Sequence, residues 1–322
     1  MNQNHPSLRR PQAVAGGRRR LYLAGQRYFG NRGCEALVRS TVKMLREELG
    51  AGTAFLTPSL DAALDRRQWP QAEPAGVRFV RSVPFPSKLR WWYRAVRALP
   101  AAKRVWLPRS MPVPREIHDD VAGSDAMILI GGDNFSLDYT TAGLLGQTAF
   151  SEVFLRRGTP MVLWAASVGP FAAEPVFERY MAGFLKRLDL ITVRETVSQD
   201  YLHGIGVRDQ VHLVADPAFL LEPEALPLDT LVPAEAGAGL LGLNLSPLVD
   251  QARYGRRPQD ARATGGEVLR FIESAVRDHD LSVVLVPHVD PLTGGPGNSD
   301  SAYLGPILAG LGHLGPRVSL AP

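Results

Sequence analysis

Ala126-Met-Ile-Leu-Ile-Gly-Gly-Asp-Asn134 decides how this chain is read: five consecutive apolar residues run straight into two glycines and two polar residues. A strand with one wet face alternates apolar and polar side chains, whereas an unbroken apolar run stopped by glycine belongs to a strand covered on both faces. Downstream, Leu144–Arg157 has helical spacing and leads to a second such run, Met161-Val-Leu-Trp-Ala165. A helix over Val176–Leu188, the run Leu190–Val193, a helix from Glu195 to His203 and the run Val211–Val214 continue the alternation. Upstream, Leu21–Ala24, a helical pattern over Cys34–Leu49 and the run Ala54–Thr57 make a βαβ start. The pattern predicts an α/β protein with a parallel sheet in a first lobe over 21–221. Glu222–Gly239, rich in Pro, Ala and Glu, reads as a linker (222–239). A second αβ series over 240–322 follows, with strands at Leu240–Leu245, Leu281–Val286 and Arg317–Leu320 and a helix over Glu267–Arg277. Its 83 residues fall short of the roughly 100–150 of an autonomous doubly wound domain, so this lobe is expected to be incomplete.

The composition fits that reading. The 322 residues are 45% hydrophobic and 21% charged, with 26 Pro and 31 Gly spread along the chain and no apolar run long enough to cross a bilayer, which excludes fibrous and membrane-spanning classes. The single cysteine, Cys34, excludes a disulfide scaffold and a thiolate metal cage, and no metal site is expected. Residues 1–20 form a loose basic arm with five arginines and no apolar core of a secretory signal, so the expected location is the cytoplasm. The net charge of +4 hides an asymmetry: once the five arginines of the arm and the nine basic residues of an insertion at 81–115 are set aside, the rest carries −10. Basic groups confined to two short segments do not line a groove, so nucleic acid is not an expected partner.

The sequences that carry chemistry sit at the ends of predicted strands, where an open parallel sheet places its ligands. Gly25-Gln-Arg-Tyr-Phe-Gly30-Asn-Arg-Gly33-Cys-Glu35 lacks the Lys-Ser/Thr end of a phosphate-binding P-loop and the dinucleotide glycine spacing. It reads either as a tight strand-to-helix turn or as a loop whose amides attract an anion at the following helix start. Gly131-Gly132-Asp133-Asn134 and Ser167-Val-Gly169-Pro170 follow neighbouring buried strands and suggest a shared crevice. In Thr192-Val-Arg194-Glu-Thr-Val-Ser198 an arginine directly follows a buried strand. It suits either an ion pair with Glu195 or Asp189, or a bidentate grip on a carboxylate or phosphate.

In order along the chain stand Gly30-Asn-Arg-Gly33-Cys-Glu-Ala36, Ile130-Gly-Gly-Asp-Asn134, Ser167-Val-Gly-Pro-Phe171, Ile191-Thr-Val-Arg-Glu195 with Ser198, Ala215-Asp-Pro-Ala-Phe219, Asn244-Leu-Ser246, and Val286-Pro-His288 followed by Asp300. This series resembles the polysaccharide pyruvyl transferase family. The resemblance implies two Rossmann-like lobes in a GT-B-like arrangement, phosphoenolpyruvate as donor with no further cofactor, and a glycan or lipid-linked glycan acceptor carrying a sugar diol. Cys34 stands where the family usually has Asp, and Asp133 where a third Gly is common. The family also places an Arg-x-His late in its second lobe. Residues 300–322 contain none, and Arg277-Asp-His279 precedes the strand at Leu281–Val286, so this form is expected to be catalytically incompetent or nearly so.

The ketal chemistry that the resemblance implies needs cations for the donor and a titratable proton donor for its methylene carbon. Arg194 is expected to bind the donor, supported by Gly30, Asn31 and Gly33. His288 is the candidate acid/base group, with a structural or acceptor-binding role as the alternative. Glu35, Gly132, Asp133, Asn134, Ser167, Gly169, Ser198, Asn244, Ser246 and Asp300 are expected to bind acceptor or donor. The other readings are a GT-B glycosyltransferase using a nucleotide sugar, and an inactive, truncated paralogue that acts as a binding module.

In Lys88–Leu99, Leu89, Trp92, Tyr93, Val96 and Leu99 fall on one helical face and Arg90, Arg94 and Arg97 on the other. Such a helix either packs on the first lobe or lies on the anionic inner face of a membrane, with Trp91 and Trp106 near the headgroups.

Overall fold

The structure is a computed structural model and describes residues 19–83, 91, 94–95, 114–137, 140–223, 232–235, 237–247, 261–290 and 299–321. Residues 1–18 of the N-terminal arm, most of 88–99, Trp106 and much of the expected linker lie outside the described residues, whereas Arg20, expected in the arm, opens the first strand. The chain forms two compact units: Met1–Gly25 with Val42–Pro58 and Gln71–Val214, and Gln26–Thr41 with Ser59–Pro70 and Ala215–Pro322.

The first unit is built on strands β1 (Arg20–Ala24), β2 (Ala54–Ser59), β3 (Val77–Arg81), β4 (Ala126–Ile130), β5 (Met161–Ala166), β6 (Leu190–Val193) and β7 (Val211–Leu213). They form one sheet in the order β3-β2-β1-β4-β5-β6-β7. Pairing from β2 through β1 to β7 is parallel. The order reverses between β1 and β4, and in open parallel sheets the carboxyl ends of the strands at such a reversal are where ligands bind.

The unbroken apolar runs form this sheet because helices cover both faces. In β4, Met127, Ile128, Leu129 and Ile130 are all buried. Tyr22 of β1 packs against Phe150 and Phe154 of α4 (Thr140–Leu155), with ring centroids 5.7 and 5.3 Å apart. Phe177, Met181, Phe184 and Leu185 form the buried stripe of α5 (Pro175–Leu185), and Leu202 is buried on α6 (Thr196–Gly204). In the helix over Arg32–Leu49, α1, burial of Leu37, Val38, Thr41 and Val42 follows the helical period, and Gly50 with φ +98° stops it. The expected strands form close to their expected bounds. The edge strand β3, the short α2 (Ala62–Gln68) and α3 (Arg115–Ala122) add to them.

The second unit contains β8 (Gly239–Leu243), α7 (Ala261–Arg277), β9 (Leu281–Leu285), α8 (Asp300–Gly310) and β10 (Val318–Leu320). The three strands pair in parallel in the order β10-β9-β8. Ile272 and Val276 of α7, Val283 and Leu285 of β9, Leu304 and Ile307 of α8 and Val318 share one core. Among the described residues, no helix is long and apolar enough to cross a membrane.

Candidate functional site

In the first unit, the carboxyl ends of β1, β4, β5 and β6 carry the residues the motifs single out. Gly25 has φ +105°, and a Cβ there would stand 2.1 Å from the Ile130 carbonyl oxygen, so this turn admits glycine only. Asn134 donates from Nδ2 to the Gly25 carbonyl at 2.8 Å and ties the loop after β4 to the loop after β1, across the point where the strand order reverses. Asp133, beside it, is exposed.

Arg194 follows β6 directly and is about one quarter exposed, at 24% of its side-chain surface. Its Nε donates to Ser167 Oγ at 3.3 Å and lies 3.7 Å from Glu195 Oε2. The guanidinium reaches to 3.9 Å from where a Cβ on Gly132 would stand. Ser167 is held in turn by its amide on the Gly132 carbonyl at 2.8 Å. Buried Ser198 accepts from the Val168 amide and donates to Glu195 Oε1, at 2.8 and 2.7 Å. Gly132, Ser167, Arg194 and Ser198 thus come together, with Glu195 as a further member.

Behind this group the loop Ser167–Phe171 is pinned to α6. Gly169, with φ +80°, lies against the Tyr201 ring, 2.3 Å from where a Cβ would stand, and its peptide bond to Pro170 is cis. The Tyr201 hydroxyl accepts from the Phe171 amide at 2.7 Å and donates to Glu178 at 2.5 Å. Burial first, then the bond to Glu178, pushes the Tyr201 phenol up to about 12. Gly169 therefore serves the shape of the loop.

In the second unit, Asn31 caps α1. Its Oδ1 accepts from the Gly33 and Cys34 amides at 2.9 and 3.3 Å, while the Arg32 amide donates to the His288 carbonyl at 3.4 Å. The amides expected to draw an anion to this helix start already have protein partners. His288, exposed, lays its ring over this turn, with Nε2 3.3 Å from where a Cβ on Gly33 would stand. The backbone of His288-Val-Asp290 is clamped from both sides. Val289 bridges Asn31, and the Asp290 amide donates to the Gly30 carbonyl at 3.1 Å. Opposite, Asp300 Oδ2 accepts from the amides of His288 and Val289 at 3.0 and 2.8 Å. Asp290 itself is gripped by the hydroxyls of Ser299 and Ser301, each at 2.6 Å.

Two expected ligand-binding carboxylates therefore face protein partners. Asp300, 2% exposed, fixes the backbone that carries His288. Glu35 accepts from Arg32, Arg39 and Gln68 at 3.0, 3.1 and 3.1 Å. Asn244 donates to the Val286 carbonyl at 2.7 Å, joining the ends of β8 and β9, and half-buried Ser246 lies just beyond. Asp65, in α2, carries no signal in the sequence: it is 2% exposed and accepts from the Phe29 amide and the Ser59 hydroxyl at 2.9 and 2.6 Å. Burial raises its carboxyl above the ordinary value. Among the described residues, no group of three His, Cys, Asp or Glu could hold a metal ion.

The fold is of the GT-B type seen in nucleotide-sugar enzymes. A putative UDP-N-acetylglucosamine 2-epimerase from Listeria monocytogenes superposes with a TM-score of 0.50 at 12% identity, over 94% of this chain and 68% of its own. MnaA from S. aureus, solved with UDP, gives 0.50 at 11% identity over 95% and 68%. No curated protein matches the chain by sequence. The polysaccharide pyruvyl transferase family matches residues 31–294, and the chain belongs to that family.

Proposed function

We propose that this enzyme moves pyruvate from phosphoenolpyruvate onto two hydroxyls of one sugar in a cell-surface polysaccharide or its lipid-linked precursor, forming a cyclic ketal and releasing phosphate. The methylene carbon takes a proton and becomes a methyl group. One sugar hydroxyl attacks the adjacent carbon, the bond from that carbon to the phosphate oxygen breaks, and the second hydroxyl closes the ring. Each hydroxyl gives up its proton as it bonds.

The observation that carries this reading is Arg194, fixed at the end of β6 between Ser167, Glu195 and Gly132 in a chain of this family. Its planar fork suits a carboxylate or phosphate. Gly30, Asn31 and Gly33 serve the donor by shaping the turn under His288. To His288 we assign the proton for the methylene carbon, on the strength of its exposed ring and its clamped backbone. Asp133, Asn134, Asn244 and Ser246 are proposed to meet the acceptor, as polar residues at or beyond strand ends.

Donor-dependent protection against thermal unfolding tests the reading. Phosphoenolpyruvate at 100 times its dissociation constant should stabilise by about 2.7 kcal/mol. A UDP-sugar should not protect. The reverse result would favour a nucleotide-sugar glycosyltransferase. With a suitable acceptor, released phosphate and a ketal methyl resonance follow the reaction itself. Turnover of about 1 s⁻¹ or more by the 322-residue chain would assign the proton to His288 or another residue present, and a rate lower by roughly 10²–10⁴-fold would bear out the incompetence expected from the lack of a late Arg-x-His.

A second proposal concerns an anionic membrane. Trp91 is 70% exposed, with the Arg94 guanidinium 5.7 Å from its ring centroid, inside the stretch 81–115 that has nine basic residues and no acid. An exposed indole beside an arginine, in a stretch of this charge, suits lipid headgroups.

A further inference from the structure

The pairing of β5 with β6 contains an extra residue. Leu163 is level with Ile191 and Ala166 with Val193, so three steps along β5 match two along β6. The consequence falls on the next pair. Continued without the bulge, the register would set Ala166 beside Arg194; with it, Ser167 takes that place, and Arg194 Nε finds a hydroxyl oxygen at 3.3 Å where a methyl group would otherwise stand.

The bulge does not hold itself. Ala165 adopts φ 48°, a left-handed conformation that carries a cost for any residue with a Cβ, and the ladder is interrupted around it. Thr192 fills the gap with its side chain. Its hydroxyl accepts from the Ala165 amide at 2.7 Å and donates to the Leu163 carbonyl at 3.4 Å, both in buried surroundings. One hydroxyl thus satisfies a backbone donor and a backbone acceptor at the interruption. We propose that Thr192 is a positioning residue: by holding the bulge in β5 it sets Ser167 beside Arg194, and so fixes the orientation in which Arg194 meets the donor. The proposal rests on the reading of Arg194 as the donor's cation.

The arrangement forms a closed circuit. Arg194 donates to Ser167, the next residue's amide donates to Ser198, Ser198 donates to Glu195, and Glu195 faces Arg194. Thr192 stands outside the circuit and fixes the phase of the strand that enters it.

Phosphoenolpyruvate dissociation constants, measured by calorimetry well below the melting temperature, test this on the full chain. Thr192→Val keeps the shape and removes the hydroxyl, and should weaken phosphoenolpyruvate binding roughly tenfold. Thr192→Ser should restore binding to within about twofold of the parent. Ser167→Ala should reproduce the loss, and combined with Thr192→Val should add little, because both act through one contact. If the valine variant fails to fold, Thr192→Cys, with a weaker donor in the same place, should give an intermediate loss. A lowered melting temperature with unchanged phosphoenolpyruvate binding in the valine or cysteine variant would overturn the proposal while Arg194→Ala still abolishes binding. Unchanged binding in Arg194→Ala would instead overturn the donor-site reading on which it rests.

Discussion

At Arg194 the geometry admits both roles open to an arginine after a buried strand. It faces Glu195, yet at 3.7 Å and with Nε shared with Ser167 the pair is loose, and the guanidinium remains partly exposed. Arg194→Lys keeps the charge and loses the fork, so phosphoenolpyruvate affinity should fall about tenfold by calorimetry. Asp65 makes a different kind of prediction. Because its folded carboxyl titrates above the ordinary 3.8, the folded state holds the proton more tightly than the unfolded chain. Stability present at low pH is therefore lost as pH rises from that value through the folded one. Asp65→Asn has no such titration, and its urea midpoint relative to the parent should improve across this window. A difference that stays flat with pH would show that Asp65 is not the group responsible.

At the scale of elements, the start of α8 acts on the segment that follows β9. Asp300 opens the helix and, through one oxygen, holds two amides of the His288 segment, while Ser299 caps the helix by accepting from the Ala302 amide at 3.0 Å. Asp300→Ala leaves both amides without this partner and removes an acid from the helix start. It should cost about 2 kcal/mol in chemical denaturation. Asp300→Asn, which retains an acceptor oxygen, should cost less. Helix α8 itself was illegible in the sequence: Asp-Ser-Ala-Tyr-Leu-Gly-Pro-Ile-Leu-Ala-Gly has little amphipathic period and contains Pro306. Strand β3, Val-Arg-Phe-Val-Arg, neither alternates cleanly nor forms an unbroken apolar run, and it is too short beside a basic segment to stand out.

For the whole molecule, the membrane proposal turns on charge that sits apart from the acidic remainder of the chain. Each arginine near an anionic surface contributes about 1 kcal/mol, so replacing Arg90, Arg94 and Arg97 by Gln should abolish most cosedimentation with phosphatidylserine-containing vesicles. Retained binding would place the attachment elsewhere. The sequence by itself determined the α/β class, the parallel strands and the placing of motifs at strand ends, because a strand buried on both faces is an unbroken apolar run and its loop begins where the run stops. Tertiary structure alone decided the strand order with its reversal between β1 and β4, and the inclusion of Gln26–Thr41 in a compact unit with Ala215–Pro322. It also decided which polar residues are already engaged. Glu35 and Asp300 look like ligand-binding carboxylates in the sequence, yet Arg39 and Gln68 hold the first and backbone amides 11 and 12 residues away engage the second. Local periodicity records which face of an element is buried; it carries no record of a hydrogen bond formed between segments distant in the chain, nor of the one-residue bulge that sets Ser167 beside Arg194.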